Sequence, residues 1–145
     1  MANWLFKEEP THYSYSDLER EGRTTWDGVS NNLALKNLRQ VKRGDRILFY
    51  HTGKEKAIVG EMRAAEDARV PASQEPSVVV VDVEPVRRWR RPVSLAEIKK
   101  DPLLAGWELV RLPRLSVVPV SEEQWQRLHQ MESMSPGSGV GQRRP

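Results

Sequence analysis

Short apolar runs punctuated by turn residues fill most of the chain, with stretches of helical spacing set between them. Trp4-Leu5-Phe6 is an aromatic run stopped by Lys7-Glu8-Glu9-Pro10, which reads as a strand. Ser16-Asp17-Leu18-Glu19 has the form of a capping box and predicts a short helix ending near Gly22. Thr24 to Val29 is a β-prone stretch broken by Asp27-Gly28. Over residues 31–41, Ala34, Leu38 and Val41 recur at helical spacing, and Gly44-Asp45 ends that helix. Arg46 to His51 is a strong strand, residues 52–55 a polar turn and Ala57 to Met62 the returning strand of a hairpin. Residues 71–76 read as a loop. The Val-rich run 77–86 reads as a strand that extends toward Trp89.

Two later helices carry clearer start signals. Ser94 with Glu97 and Ser121 with Gln124 are capping boxes, flanked by the hydrophobic staples Val93/Ile98 and Val120/Trp125. Between them Leu115 to Val118 reads as a strand stopped by Pro119. The order mixes five or six strands with four helices and does not alternate strictly, so the expected class is α+β, a small curved sheet or barrel flanked by helices. No internal repeat or linker divides it. One domain over residues 1–132 is expected, followed by a Ser, Gly, Pro and Arg tail over 133–145 that should be disordered.

Composition narrows the chemistry. With 145 residues the chain suits one domain with a sizeable core. The net charge is +3, from 23 basic and 20 acidic residues, which fits a nucleic-acid partner without requiring one. There is no cysteine, so disulfides, thiolate metal sites and thiol nucleophiles are excluded. No signal-peptide pattern opens the chain and no apolar run could span a bilayer; a soluble cytoplasmic protein is expected. His12, His51 and His129 are too scattered for a spaced metal motif, and no phosphate loop, dinucleotide turn or nucleophile elbow is present. Neither a metal nor a cofactor is expected.

Four segments in order resemble one family. Residues 4–10 (WLFKEEP), Trp26-Asp27-Gly28-Val29 with Asn31, Phe49-Tyr50-His51-Thr52-Gly53, and a final stretch from Leu109-Val110-Arg111 through Arg114-Leu115-Ser116-Val117 to Pro119-Val120 are similar to the motifs of EVE domains. The resemblance covers residues 2 to about 132. It implies a PUA-like barrel related to YTH and ASCH domains. It further implies a nucleic-acid-binding module, not an enzyme, that holds a modified base in an aromatic pocket: methylated or hydroxymethylated cytosine, or methylated adenine, in DNA or RNA. Many relatives have arginine and an aromatic residue where this chain has Ser30 and Asn32.

The residues then take candidate roles. A flipped base needs a flat apolar surface and polar groups at its edge. Trp26 is the stacking candidate, against a core role with its indole N–H bonded. Asp27 would accept from an exocyclic amine or serve the turn at Gly28. Asn31 would read a base edge or cap the following helix. Val29, Tyr50, His51 and Ser116 complete the candidate pocket, with one of Tyr50 and His51 facing the core. Lys7, Glu9, Arg111 and Arg114 form its rim or meet phosphate, and Arg114 and Ser116 should share a strand face. The cluster Arg87-Arg88-Trp89-Arg90-Arg91 reads as a solvated strand end. Trp107 and Trp125 read as structural. Two other readings stay open: a general RNA-binding PUA-type domain indifferent to modification, and an enzyme on a modified nucleobase using Glu9 or His51 as base. The oligomeric state is not legible.

Overall fold

The computed structural model describes residues 1–72 and 78–134. Six strands form one curled sheet: β1 (Asn3–Glu8), β2 (Thr24–Trp26), β3 (Arg46–His51), β4 (Ala57–Ala64), β5 (Val81–Ser94) and β6 (Val117–Val120). Among the described residues five helices pack around it: α1 (Tyr15–Glu21), α2 (Asn32–Leu38), α3 (Leu95–Lys100), α4 (Glu108–Arg111) and α5 (Glu122–Ser133). The strand order is β2-β5-β4-β3-β1-β6. β1 runs parallel to β3, and every other pair is antiparallel. A parallel pair needs a long crossover. Here α1, β2 and α2 supply it, which brings β2 around to face β1. This is the expected α+β class with a small barrel-like sheet.

Several boundaries differ from expectation for local reasons. α1 starts two residues earlier, because Ser14 and Asp17, not Ser16 and Glu19, form the reciprocal capping box. β2 stops at Trp26, since Gly28 turns away with φ 77°. α2 ends at Leu38. β5 runs on to Ser94, through the basic cluster, because those cations have partners. Arg87 holds Glu132 with two bonds of 2.9 and 3.0 Å, Arg88 meets Glu19 at 2.6 Å, and Arg91 meets Glu97 at 2.9 Å. They tie β5 to α5, α1 and α3, although Arg87 and Arg88 remain exposed to solvent. Pro119 does not stop β6 but lies inside it. That is tolerated because β6 is an edge strand, and the proline carbonyl accepts the Trp107 indole N–H at 2.8 Å. Residues 109–111, expected to lead into the final strand, form the short helix α4. The capping boxes at Ser94 and Ser121 are present, and Val93, Ile98, Val120 and Trp125 are all buried. Of the expected tail, Ser133 still belongs to α5, and residues 135–145 lie outside the described residues. So do 73–77, within the expected loop and the start of the Val-rich run.

The core contains one buried charge cluster. Glu61 on β4 accepts from Trp89 Nε1 at 2.7 Å and from His129 Nε2 at 2.9 Å, and lies 3.1 Å from Arg87. The other ring nitrogen of His129 reaches the Trp125 carbonyl at 2.8 Å. Both ring nitrogens face acceptors, so the ring is doubly protonated when both bonds are made. Burial opposes that charge, but the bonds to Glu61 and to the Trp125 carbonyl outweigh it and hold the His129 pKa above the ordinary histidine value. Burial likewise opposes the Glu61 charge, and its bonds from His129 and Trp89 overcome this and pull its pKa down. His129, half-buried, is thus part of the joint between α5 and the sheet.

Two predictions follow from this packing. The raised histidine pKa contributes stability that is complete below about pH 6.5 and is lost as pH rises through the folded value. The depressed Glu61 pKa contributes above about pH 4.5 and is lost as pH falls. Urea unfolding of H129Q should therefore show a loss of about 1–3 kcal/mol at pH 6 that narrows at pH 9; a deficit equal at both pH values would contradict the charged pair. Gly60 on β4 faces Tyr15, and a Cβ there would stand 2.6 Å from the ring. Tyr15 is fully buried and its hydroxyl donates to the Glu61 carbonyl at 2.6 Å, so it cannot retreat. Gly60→Ala should cost about 1–3 kcal/mol in the same assay, and a neutral result would show that Tyr15 can move.

Candidate nucleic-acid interface

The site begins with the alternation of β1 and β3. Phe6 and Phe49 are register partners and share the inner face of the curled sheet. Trp26, at the end of β2, closes over both. Its ring lies 5.4 Å from Phe6 and 5.3 Å from Phe49, edge-on to the latter at 86°, with Tyr13 perpendicular to it at 6.5 Å. Only 5% of Trp26 is exposed. Its neighbours are aromatic, and it forms one wall of a hollow of about 240 Å³ lined by Glu8, His12, Tyr13, Thr24, Thr25 and Asp27.

The indole is not tied down. Trp4, Trp89 and Trp107 donate their N–H groups to Asp45, Glu61 and the Pro119 carbonyl. Among the described residues, Trp26 Nε1 has no such acceptor. The core role with a bonded N–H is therefore only half met: the ring is core, and its donor is free.

The polar lining is acidic. Glu8 lies two residues beyond Phe6 and on the same face. It accepts the Glu9 amide at 3.1 Å and meets His12 Nδ1 at 2.9 Å. The exposed Asp27 carboxylate has no hydrogen-bond partner among the described residues. Tyr13 donates to Glu21 at 2.7 Å, and burial followed by that bond pushes its pKa up to about 12, so it stays a donor at neutral pH. Thr25 is taken up by Asp82 at 2.7 Å.

Val29 is half-buried and packs against the core. Asn31 is the N-cap of α2, its side-chain oxygen accepting the Ala34 amide at 3.0 Å, which leaves only its amide group free. It lines a second hollow of about 380 Å³ with Leu33, Arg111, Leu112, Pro113, Arg114 and Leu115. Arg111 donates to the Gly106 carbonyl at 2.7 Å. Arg114 is exposed, with no carboxylate within salt-bridge reach among the described residues. Asn31 and Arg114 thus meet in one hollow, and Trp26 with Asp27 lines another.

Other candidates are placed elsewhere. Arg114 and Ser116 precede β6, so the strand alternation expected of them does not apply. Ser116 lines none of these hollows; its carbonyl accepts the Lys7 amide at 3.0 Å. His51 is structural. Nε2 accepts the Tyr15 amide at 3.1 Å, which leaves the proton on Nδ1 to bond Glu55 at 2.8 Å. Tyr50 faces away from Phe49 and, with Lys7, lines a third hollow. Glu9 accepts from Thr11 and Thr52 instead of entering the Trp26 hollow. Sequence reasoning chose Glu9 where Glu8 holds the position; counting by twos from Phe6 would have found it. Tyr13 carried no such signal, because it enters from a turn. Among the described residues no group of three or more His, Asp or Glu is placed to hold a metal ion.

Comparison with known proteins places this geometry. The family model described as EVE domain matches residues 2–131. Human thymocyte nuclear protein 1 is 30% identical, the match covering 93% of this chain and 76% of that protein. A solved structure from Rhodopseudomonas palustris is 32% identical with a TM-score of 0.85, covering 99% of this chain and 97% of that one. The crystal structure of human THYN1 protein in complex with 5-methylcytosine-containing DNA is 30% identical, with a TM-score of 0.86 and coverage of 94% and 100%. An ASCH protein from Zymomonas mobilis, at 12% identity and a TM-score of 0.56, shares the fold alone. The family match over residues 2–131, nearly the whole described length, shows that this chain belongs to the EVE domain family.

Proposed function

We propose that this chain binds DNA carrying a modified cytosine. One base enters the Trp26 hollow and the neighbouring backbone lies on the Arg111 and Arg114 hollow. The observation that carries the reading is a free indole wall facing two carboxylates, Glu8 and Asp27, in a space of about 240 Å³. That is below the roughly 300–1,000 Å³ of clefts for drug-sized ligands and suits a single ring system. Carboxylates accept from the exocyclic amine of cytosine. They also repel phosphate, so the backbone belongs on the separate cationic surface. The human THYN1 protein, seen with 5-methylcytosine DNA, supports cytosine as the base and DNA as the polymer.

Binding without turnover is the accompanying inference. His51, the imidazole considered as a general base, has both ring nitrogens committed, and Glu9 lies outside the Trp26 hollow. A methyl group buried on the indole contributes about 0.8 kcal/mol, about a fourfold preference over unmodified cytosine. Fluorescence anisotropy with matched oligonucleotides should show that preference. Asp27→Ala, an exposed change that spares the core, should weaken modified DNA by about tenfold. Arg114→Gln should weaken modified and unmodified DNA alike and lower the salt slope by about one. Equal affinity for both DNAs, unchanged in Asp27→Ala, would overturn the reading.

A further inference from the structure

The third hollow lies on the opposite face of the β1–β3 pair from Trp26. It has a volume of about 260 Å³ and lies between the β3–β4 turn, α3 and the corner at Pro113. Three lysines line it, Lys7, Lys56 and Lys99, with no carboxylate among the lining residues. Glu9, beside Gly53, is engaged by Thr11 and Thr52. Lys7 uses one donor on the Pro113 carbonyl at 2.9 Å and sits 5.7 Å from the centre of the Tyr50 ring. Burial lowers its pKa, the condition a bound anion would relieve.

The second observation is Tyr50 itself. It lines the hollow, is only 3% exposed, and its hydroxyl has no hydrogen-bond partner among the described residues. A buried donor without an acceptor is costly and rare. The strand register shifts between Phe49 and Tyr50, an irregularity of the kind that re-aims a side chain beside a binding site. Lys56 holds φ 46°, and its carbonyl accepts the Leu95 amide at 2.8 Å, which fixes the turn over the start of α3.

We propose that this hollow is a phosphate site built for a phosphomonoester. Three ammonium groups and a buried hydroxyl match a group carrying about −1.5 to −2 charges and three acceptor oxygens. A backbone diester carries one negative charge and would leave cations unmatched. Leu95, Leu109 and Pro113 form an apolar wall that a sugar can cover. The monoester is that of a free nucleoside monophosphate or the terminal phosphate of a nucleic acid. The inference stands apart from the Trp26 reading, because its test compares two 5′ ends on one sequence and is read through Tyr50 and Lys99, which do not line the Trp26 hollow.

The full chain is titrated calorimetrically at low salt with inorganic phosphate, with deoxycytidine monophosphate, and with twin unmodified oligonucleotides ending in a 5′-phosphate or a 5′-hydroxyl. The phosphorylated twin should bind about tenfold tighter, the effect of one or two charge-assisted bonds. Tyr50→Phe and Lys99→Gln should each abolish the preference. Tyr50→Phe should leave thermal stability unchanged or raised, since the hydroxyl it removes has no internal partner. Binding of the free monophosphate that is lost in Tyr50→Phe, with no difference between the twins, upholds the site and names a nucleotide as its source. Equal twins with no heat from phosphate or monophosphate would overturn the proposal, as would a preference that survives both substitutions.

Discussion

The fold depends on one contact between strands far apart in the sheet order. Trp26 ends β2 at one edge, and Phe6 lies on β1, next to the other edge. Only a strongly curled sheet brings their rings to 5.4 Å. The indole that closes the curl is also the wall of the hollow. On the proposed reading rigidity and recognition share a residue, and large changes at Trp26 would act on both. The polar rim has more freedom, because Asp27, the end of α4 at Arg111 and the segment through Arg114 lie outside the aromatic core.

Charge is divided by face. The Trp26 hollow is lined by carboxylates, while the two cationic hollows meet at Pro113, which lines both. A nucleic acid on this surface would meet acid only where a base has left the stack and cations where its backbone runs. By contrast, Arg87, Arg88 and Arg91 are paired internally and hold helices to β5.

Much of the architecture was legible because strands and capping boxes are local signals. Trp4-Leu5-Phe6, the β3–β4 hairpin and the boxes at Ser94 and Ser121 each state their structure within a few residues. α4 was missed because its four residues carry no box, and Trp107 at its N-cap makes no side-chain bond. The site was less legible. Trp26 and Asp27 line one hollow as grouped, but Asn31 and Arg114 line the next, and His51 is committed to Tyr15 and Glu55. Those outcomes depend on which faces meet in three dimensions. Tyr50 and His51 split between faces as the strand period requires, though the period alone could not say which face held the core.

On the proposed reading a base enters the Trp26 hollow, where the indole N–H has no partner among the described residues. Indole N–H signals in a ¹H–¹⁵N correlation spectrum test it directly during titration with 5-methylcytosine DNA. The Trp26 signal should move, while those of Trp4, Trp89 and Trp107, bonded inside the protein, stay in place. DNA that binds and leaves the Trp26 signal untouched would contradict the account.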